Sequence, residues 1–292
     1  MTNIQEIIDR IQMLDPLPSV ATRILSLAER PDRSLSEIAD LIAYEPSITA
    51  NLLKFCNSAY LGLSRKVDSI HDAIPLLGLD HLVELVLVQS ASVHLKTAQD
   101  GYGPAEGDLW RHAAYGAHVA QILAQKYKLL DNQHRVFTAA LLKDIGKQIL
   151  GRYSGFASEQ INRLVQAQGY SFDEAEKRTI GMDHAELGAF IVEKWRFSDK
   201  MISIIRNHHL SDAAARDDLE TVIVYLSDMI CTLMGLGAGS DGMADRCSGE
   251  VLKRLNLTAR DLHTIIAEST AQQRRIENLL EWASHSGRRC CG

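Results

Sequence analysis

Apolar residues recur at spacings of three and four along most of this chain, and the strict alternation typical of a half-buried strand is nearly absent. In residues 20–28, for example, valine, isoleucine and leucine fall on one face of a helix. Helix-start signals, in which Ser or Asp precedes Glu by three positions, stand at Ser34, Ser171 and Asp183. We therefore predict an all-α fold.

Glycine and proline divide the predicted helices into three parts. All six prolines lie within the first 104 residues, and three glycines and a proline mark a linker over residues 96–108. A second glycine-rich stretch covers residues 235–242. We predict an N-terminal helical part over residues 13–104, a second part over 105–230 and a helical extension over 231–292, with a helix pair over 252–282. Between the first two parts we expect a limited interface and a groove for a partner or effector.

Composition and charge exclude several classes of protein. The 292 residues are 46% hydrophobic and 23% charged, which is ordinary for a globular chain, and the net charge of -6 argues against non-specific nucleic-acid binding. No run approaches the ~18 apolar residues that span a membrane, and the N-terminus lacks a signal-peptide pattern. The five cysteines include one adjacent pair, Cys290-Cys291, but no spacing typical of a disulfide framework. We expect a cytoplasmic protein without membrane contact.

Two carboxylates interrupt otherwise apolar helical runs. Asp144 follows Leu141-Leu142, and Asp228 lies within the apolar run of residues 221–234. Because a buried lone carboxylate is costly unless it is paired or bound to a metal, both acids need a positive partner. We predict that they share one.

Several histidines lie in runs from which they could bind a metal ion as this positive partner. His112 lies in an apolar helical run, and His208-His209 end the helix predicted over residues 199–207. Imidazole and carboxylate are the ligand types of zinc, iron and manganese. A lone histidine on an apolar face is more often a core residue with a satisfied hydrogen bond. We interpret seven others as either exposed or satisfied core residues: His71, His81, His94, His118, His134, His263 and His285.

Six short runs together resemble a known family. They are LDPLPSVA at 14–21, IAYEPSIT at 42–49, LKFCNSAY at 53–60, SIHDAIPLLGL at 69–79, ALLKDIGK at 140–147 and DHAELGA at 183–189. In this order they resemble the HDOD family, the HD-related output domains of bacterial signalling proteins, over residues 13–230. The resemblance implies an HD-like helical bundle related to the HD and HD-GYP phosphohydrolases, with a regulatory rather than a catalytic role.

The same resemblance implies a metal ligand set with one member missing. Its members are His112, Asp144, His184, His208, His209 and Asp228. Where an HD enzyme has histidine before the aspartate, this chain has Lys143, whose ammonium has no lone pair and repels a metal ion. The set for a first ion is thereby broken, whereas the set for an additional ion, Asp144 with His184, His208 and His209, is complete. No Glu and no Gly-Tyr-Pro follow the histidine pair, so the resemblance to a cyclic-dinucleotide phosphodiesterase is poor.

We therefore interpret the chain as a non-catalytic module of bacterial signal transduction that acts through contacts with signalling proteins. Two alternatives stay open: a metal-dependent phosphohydrolase acting on a nucleotide or cyclic nucleotide, and a domain that senses a metal or nucleotide. A remaining site would hold one transition-metal ion, either iron, zinc or manganese. We predict that Lys143 serves as a built-in cation for Asp144 and Asp228. Lys147, one turn on, either supports an anion or lies on a solvated face.

Overall fold

The structure is a computed structural model, and it describes residues 19–30, 34–44, 46–58, 61, 67–95, 108–129, 132–151, 154–236, 249–274 and 276–277. Within these ranges all regular structure is helical, which confirms the predicted all-α fold. The predicted linker before Asp108, residues 14–18, most of the second glycine-rich stretch and Cys290-Cys291 lie outside the described residues.

The described helices are numbered here in chain order. They are α1 Ser19–Ala28, α2 Leu35–Ala43, α3 Pro46–Cys56, α4 Ile70–Leu77, α5 Leu79–Leu95, α6 Asp108–Lys126, α7 Gln133–Leu142, α8 Lys147–Leu150, α9 Ser154–Gln168, α10 Phe172–Ile180, α11 His184–Lys194, α12 Asp199–Arg206, a 3-10 turn at Ala214–Asp217, α13 Leu219–Leu233, α14 Gly249–Arg254 and α15 Ala259–Ala271.

The helix starts follow the sequence signals. The Ser34 hydroxyl accepts a hydrogen bond from the Glu37 amide at 3.3 Å and begins α2. At Ser171 the backbone amide donates to the Glu174 carboxylate at 3.2 Å. Asp183 accepts from the Glu186 amide at 2.8 Å and begins α11. These bonds satisfy amides that the first turn of a helix leaves without a partner, which explains why the three signals were accurate.

Helices α1 to α5 make up the N-terminal part. Helix α1 packs on α2 and α5, and α4 packs on α2, α3 and α5. The Asn57 side chain fastens the end of α3 to the next segment, because its amide donates to the Val67 carbonyl at 2.7 Å and its oxygen accepts from the Val67 amide at 2.8 Å. Helix α5 also contacts α6 and α7, so it joins this part to the rest of the molecule.

The second part is built around α6, α7 and α13, which contact one another extensively. Helices α11 and α12 pack together, and α12 also contacts α7 and α13. Helix α13 is buried on almost every side from Glu220 to Cys231, as a helix with apolar residues all round requires. Each helix that carries a predicted ligand belongs to this core.

The extension contributes two described helices, α14 and α15. They are separated by a turn in which Asn256 has a φ of 50°. Helix α15 packs on α6, where Lys126 and Asp261 form an ion pair at 2.7 Å. Among the described residues no single helix is long and apolar enough to cross a membrane. Helices α4 and α5 pass that test of length and composition only when taken together, and they are bent by 114°.

Candidate metal centre

The predicted ligands converge in the core of the second part. They form two adjoining groups, in each of which the ligand atoms lie within 4.8 Å of one another. One group contains His112, Asp144 and Asp228, and the other contains His184, His208 and His209. All are buried except His209, which is half-buried. Helices α6, α11 and α13 carry His112, His184 and Asp228, and the turns after α7 and α12 carry the rest.

A close backbone approach brings the two groups together. Gly146, in the turn between α7 and α8, lies against the first turn of α11. A Cβ atom at Gly146 would overlap the His184 carbonyl oxygen and lie 2.9 Å from the Gly188 amide nitrogen. Glycine is needed here for space rather than for its φ of -62°, which is ordinary for a helix. The contact sets Asp144 beside His184.

The Lys143 ammonium stands at the centre of the first group. Its Nζ atom contacts Asp144 Oδ2, lies 2.5 Å from Asp228 Oδ1 and is 3.3 Å from His112 Nε2. The side chain is 1% exposed, so these contacts replace its hydration. Lysine Nζ thus occupies the point on which the three ligand side chains converge.

Electrostatics keep this group ionised. Burial by itself lowers the pKa of an ammonium, but the Asp144 and Asp228 carboxylates outweigh it and raise the pKa of Lys143. Burial likewise opposes ionisation of the two acids, yet Lys143 holds the pKa of Asp144 and that of Asp228 well below their usual range. The predicted positive partner of the two acids is therefore a side chain of the protein.

The first position does not fit a metal ion. Lys143 Nζ fills it, and an ammonium offers no lone pair. His112 is also engaged: its Nδ1 is 2.7 Å from the Leu236 carbonyl oxygen, and its Nε2 is 2.7 Å from Asp228 Oδ1. Both ring nitrogens therefore already have partners within the protein, so neither is open to a metal ion.

A second lysine completes the pairing of Asp144. Lys147 Nζ lies 2.7 Å from Asp144 Oδ1 and its side chain is buried, so the solvated position considered for it is wrong. The geometry is that of an ion pair rather than of an aligned hydrogen bond, because Asp144 Oδ1 has no hydrogen-bond partner. With one lysine against each oxygen, Asp144 is occupied by internal cations, although Oδ1 also lies 3.4 Å from His184 Nε2.

The second group consists of three imidazoles that stack against one another. Their ring centroids are 4.0 to 5.3 Å apart. Burial, together with the neighbouring charges, lowers the pKa of His184 and that of His208 well below the usual range, so both rings are neutral. His208 Nδ1 donates to the Ile205 carbonyl at 2.7 Å, and its Nε2 is buried with no hydrogen-bond partner among the described residues.

Glu176, on α10, orients His184. Its carboxylate accepts from His184 Nδ1 at 2.6 Å and from the His184 backbone amide at 2.9 Å, and its side chain is fully buried. His184 Nε2 is then left with a lone pair, which accepts from His209 Nε2 at 2.8 Å. Sequence reasoning missed Glu176, although it shares the apolar face of α10 with Phe172 and Ile180.

The second position fits a metal ion better than the first. It offers neutral imidazole nitrogens, one of them buried and without a partner, and a carboxylate behind His184 as in many metal centres. The donor set is three imidazoles. Asp144 is not part of it, because this carboxylate is paired with lysines and belongs to the group that contains His112 and Asp228. Three imidazoles suit zinc or iron.

Both the sequence and the fold have known relatives. The sequence matches the HDOD domain over residues 14–211. The chain belongs to the HDOD family. A crystal structure of an HDOD domain protein of unknown function from Geobacter sulfurreducens shares 25% identity with this HDOD chain, with 97% of this chain and 98% of that one covered and a TM-score of 0.69.

Two further solved structures share the HDOD fold. A candidate signal transduction protein from Marinobacter aquaeolei VT8 has 22% identity and a TM-score of 0.73, covering 94% of this chain and 61% of that one. A candidate phosphohydrolase from Shewanella amazonensis SB2B has 18% identity and a TM-score of 0.67, covering 95% of this chain and 97% of that one.

An uncharacterized protein of Treponema pallidum (strain Nichols) is 27% identical over 206 residues, which are 70% of this chain and 39% of that relative. The HDOD chain thus spans well under half of that relative.

Proposed function

We propose that this HDOD chain is a regulatory domain that hydrolyses no phosphoester, because a lysine ammonium has replaced the first metal ion of an HD site. The observation that carries the proposal is Lys143 Nζ in contact with Asp144, Asp228 and His112. HD hydrolysis needs a metal ion that polarises a phosphoryl oxygen and activates water. An ammonium cannot bind water or hydroxide as a ligand, so Lys143 does not generate the nucleophile.

Burial of the site supports the same proposal. Lys143, Asp144, His184 and His208 are each 0 to 1% exposed, and His112 is 4% exposed. A phosphoester would have to displace packed side chains before it reached the two acids. Charged groups that are paired in this way act as part of the core, and they stabilise one arrangement of the surrounding helices.

A domain without turnover acts by binding, and we propose that its ligands are signalling proteins. The candidate signal transduction protein from Marinobacter aquaeolei VT8 has the same fold, which supports a signalling role. We also propose that the protein works in the bacterial cytoplasm.

The test is hydrolysis by the purified full chain. With Mn²⁺ or Fe²⁺ added, we expect no cleavage of cyclic dinucleotides, cyclic mononucleotides or nucleoside triphosphates above a protein-free blank. The matched control is Asp144→Ala, which removes the acid common to both groups. Turnover by the parent that Asp144→Ala abolishes would contradict the regulatory proposal and favour the phosphohydrolase.

A second candidate function rests on the buried, unpartnered Nε2 atom of His208. We propose that His184, His208 and His209 hold one transition-metal ion as a sensing or structural centre. A bound ion would supply Lewis acidity and lower the pKa of a bound water toward ~7, which is the chemistry a phosphohydrolase would use. Glu176 would keep His184 in the tautomer whose Nε2 faces the group.

Elemental analysis of freshly purified protein tests this centre. We expect zinc or iron at up to about one ion per chain in the parent and a loss of at least tenfold in His208→Ala. His263→Ala, an exposed histidine on α15, is the matched control and should retain the metal. Equal metal contents in the parent and both variants would refute the three-imidazole site.

A further inference from the structure

The C-terminal extension covers an apolar face of the two preceding parts. Helix α15 packs on α6, and Ile276, which follows that helix, is buried against a small recess between α5, α6 and α7. Leu85, Val88, Ala114 and Phe137 line this recess and are 1 to 7% exposed. We name α15 together with Ile276 the covering segment, and the four lining residues the apolar face. Such a face, if uncovered, is typical of a binding site for another protein.

Few residues of the covering segment are buried. Along α15 the buried side chains are Ile265 and Ser269, and the others are exposed or half-buried. The Ser269 hydroxyl oxygen is buried and has no hydrogen-bond partner among the described residues. An unpaired buried hydroxyl opposes burial of the helix face that carries it. Helix α15 is thus held by far fewer buried side chains than α13, which is buried on almost every side.

The space beneath the covering segment is incompletely filled. The recess next to Ile276 retains a volume of about 30 Å³, and a cleft of about 470 Å³ runs beside Ala271 and Gln272 at the end of α15. Protein interiors are close-packed, so gaps at a contact surface forfeit part of the van der Waals attraction between its two sides. The covering segment therefore fits its site less closely than the core helices fit one another.

Polar contacts between α15 and the end of α6 lie near the surface. Lys126 pairs with Asp261 at 2.7 Å, and their side chains are 38% and 28% exposed. The Tyr127 hydroxyl donates to the Leu255 carbonyl at 3.2 Å, in the turn before α15. Exposed ion pairs contribute little to stability and are weakened by salt. Release of the covering segment therefore requires much less free energy than unfolding of the core.

A domain without turnover acts by binding, and on that proposed function we infer that the covering segment is a reversible cover and that the apolar face beneath it binds an amphipathic helix of a signalling protein. The covering segment defines the chemistry of that helix. It carries an acid opposite Lys126, as Asp261 is, and aliphatic side chains in place of Ile265 and Ile276. The two helices exclude each other, so the partner binds when the covering segment has left.

Hydrogen exchange of the full chain tests whether the cover opens. We expect the backbone amides of α15 to exchange at least tenfold faster than those of α13, because local opening of a loosely packed helix needs no global unfolding. Equal protection of the two helices would overturn the reversible cover.

A fluorescein-labelled peptide copy of residues 258–277 tests the apolar face as a binding site. Ile265→Asp frees the face in the full chain, which should then bind the peptide at least tenfold more tightly than the parent does. The control Ala267→Asp adds the same charge on the exposed side of α15 and should leave binding as in the parent. Circular dichroism verifies folding, and Ile276→Asp, beyond α15, repeats the comparison where Ile265→Asp is not folded. Equal binding by the parent and the freed chain, or none by either, would overturn the inference.

A charge exchange locates the peptide. In the freed chain Lys126→Glu should weaken peptide binding about threefold, and a peptide with Asp261→Lys should recover the loss. The double-mutant cycle removes the effect that either change has on its own. Purely additive effects would place the peptide elsewhere and overturn the assignment.

Light scattering separates a second copy of this chain from a different partner. We expect a monomeric parent. A parent dimer that Ile265→Asp converts to a monomer would assign the apolar face to a second copy and overturn the proposed partner. Hydrolysis by the parent would contradict the proposed function but would not change the peptide measurements, and a failure of peptide binding would leave the expected lack of turnover standing.

Discussion

Lysine at position 143 supplies a positive charge where an HD site would hold a metal ion, but it has none of the ion's coordination chemistry. Its flexible stem lets Nζ reach His112, Asp144 and Asp228 from the turn after α7. The Lys143 and Lys147 ammonium groups balance the Asp144 and Asp228 carboxylates, so the burial of the charges is compensated within the protein. The residue that we propose to remove catalysis is thereby also structural.

Substitution of Lys143 tests this structural role. Lys143→Ala leaves Asp228 and one oxygen of Asp144 buried without their cation, and we expect the free energy of unfolding to fall by ~3–5 kcal/mol. Urea unfolding followed by circular dichroism measures the loss. Lys253→Ala, at an exposed position on α14, is the control and should change stability by less than ~0.5 kcal/mol. Equal midpoints for the two variants would show that Lys143 does not compensate the acids.

The reverse substitution restores the ligand type. Lys143→His exchanges the ammonium for an imidazole next to His112, Asp144 and Asp228. We expect it to raise the bound transition metal by up to about one ion per chain over the parent. Mass-spectrometric metal analysis under matched purification decides the point, and an unchanged metal content would contradict it.

At the scale of secondary-structure elements, short turns between helices position the side chains of the metal centre. Gly181 ends α10 with a φ of 95°, a left-handed conformation that glycine adopts at little cost. Asp183 then begins α11, which brings His184 next to Glu176 of the preceding helix. The turn that contains Gly146 fits against the same first turn of α11. These two backbone features therefore set Asp144 and His184 close together.

Alanine at Gly146 should disrupt this fit. Its Cβ would overlap the His184 carbonyl oxygen, so α11 would have to move away from the turn. We expect a loss of ~2 kcal/mol or more in the free energy of unfolding, typical of overpacking against backbone. Gly116→Ala is the control, because the nearest atom to its added Cβ would be 4.0 Å away. That change should be neutral or stabilising by up to ~1 kcal/mol, since alanine favours a helix interior. Similar melting temperatures for the two variants would contradict the close approach.

At the scale of the whole molecule, one arginine ties the N-terminal part to the second part. Arg135 of α7 donates to both oxygens of Glu220 on α13, at 2.7 and 3.1 Å, and to Glu29 after α1 at 3.2 Å. Burial raises the pKa of Glu29, while Arg135 acts in the opposite direction. Together with the contacts of α5 on α7, this network joins the two parts across their interface.

Removal of that arginine should loosen the interface. Arg135→Met keeps much of the apolar stem but leaves Glu29 and Glu220 facing each other without a cation, and we expect a loss of ~2–3 kcal/mol. Arg111→Met is the control, because Arg111 is 56% exposed and pairs with Asp108 at 3.3 Å. An exposed pair of this kind contributes less than ~1 kcal/mol. Denaturant unfolding compares the two, and equal losses would show that Arg135 does not join the parts.

The sequence by itself determined the features that depend on neighbours along the chain. Helical spacing and the capping signals at Ser34, Ser171 and Asp183 act within one turn, so the all-α fold and three helix starts were predictable. The apolar surroundings of Asp144 and Asp228 likewise required a positive partner, and Lys143 was the nearest cation in the sequence.

Tertiary structure alone decided which groups face one another across helix contacts. An apolar stripe shows which side of a helix is buried, but the residue opposite it depends on the packing of a distant segment. The positions of Glu176 behind His184 and of Lys147 against Asp144 were for that reason outside the reach of sequence reasoning. The second cation on Asp144 has the same origin, because a carboxylate oxygen binds whichever cation the packing places within about 3 Å.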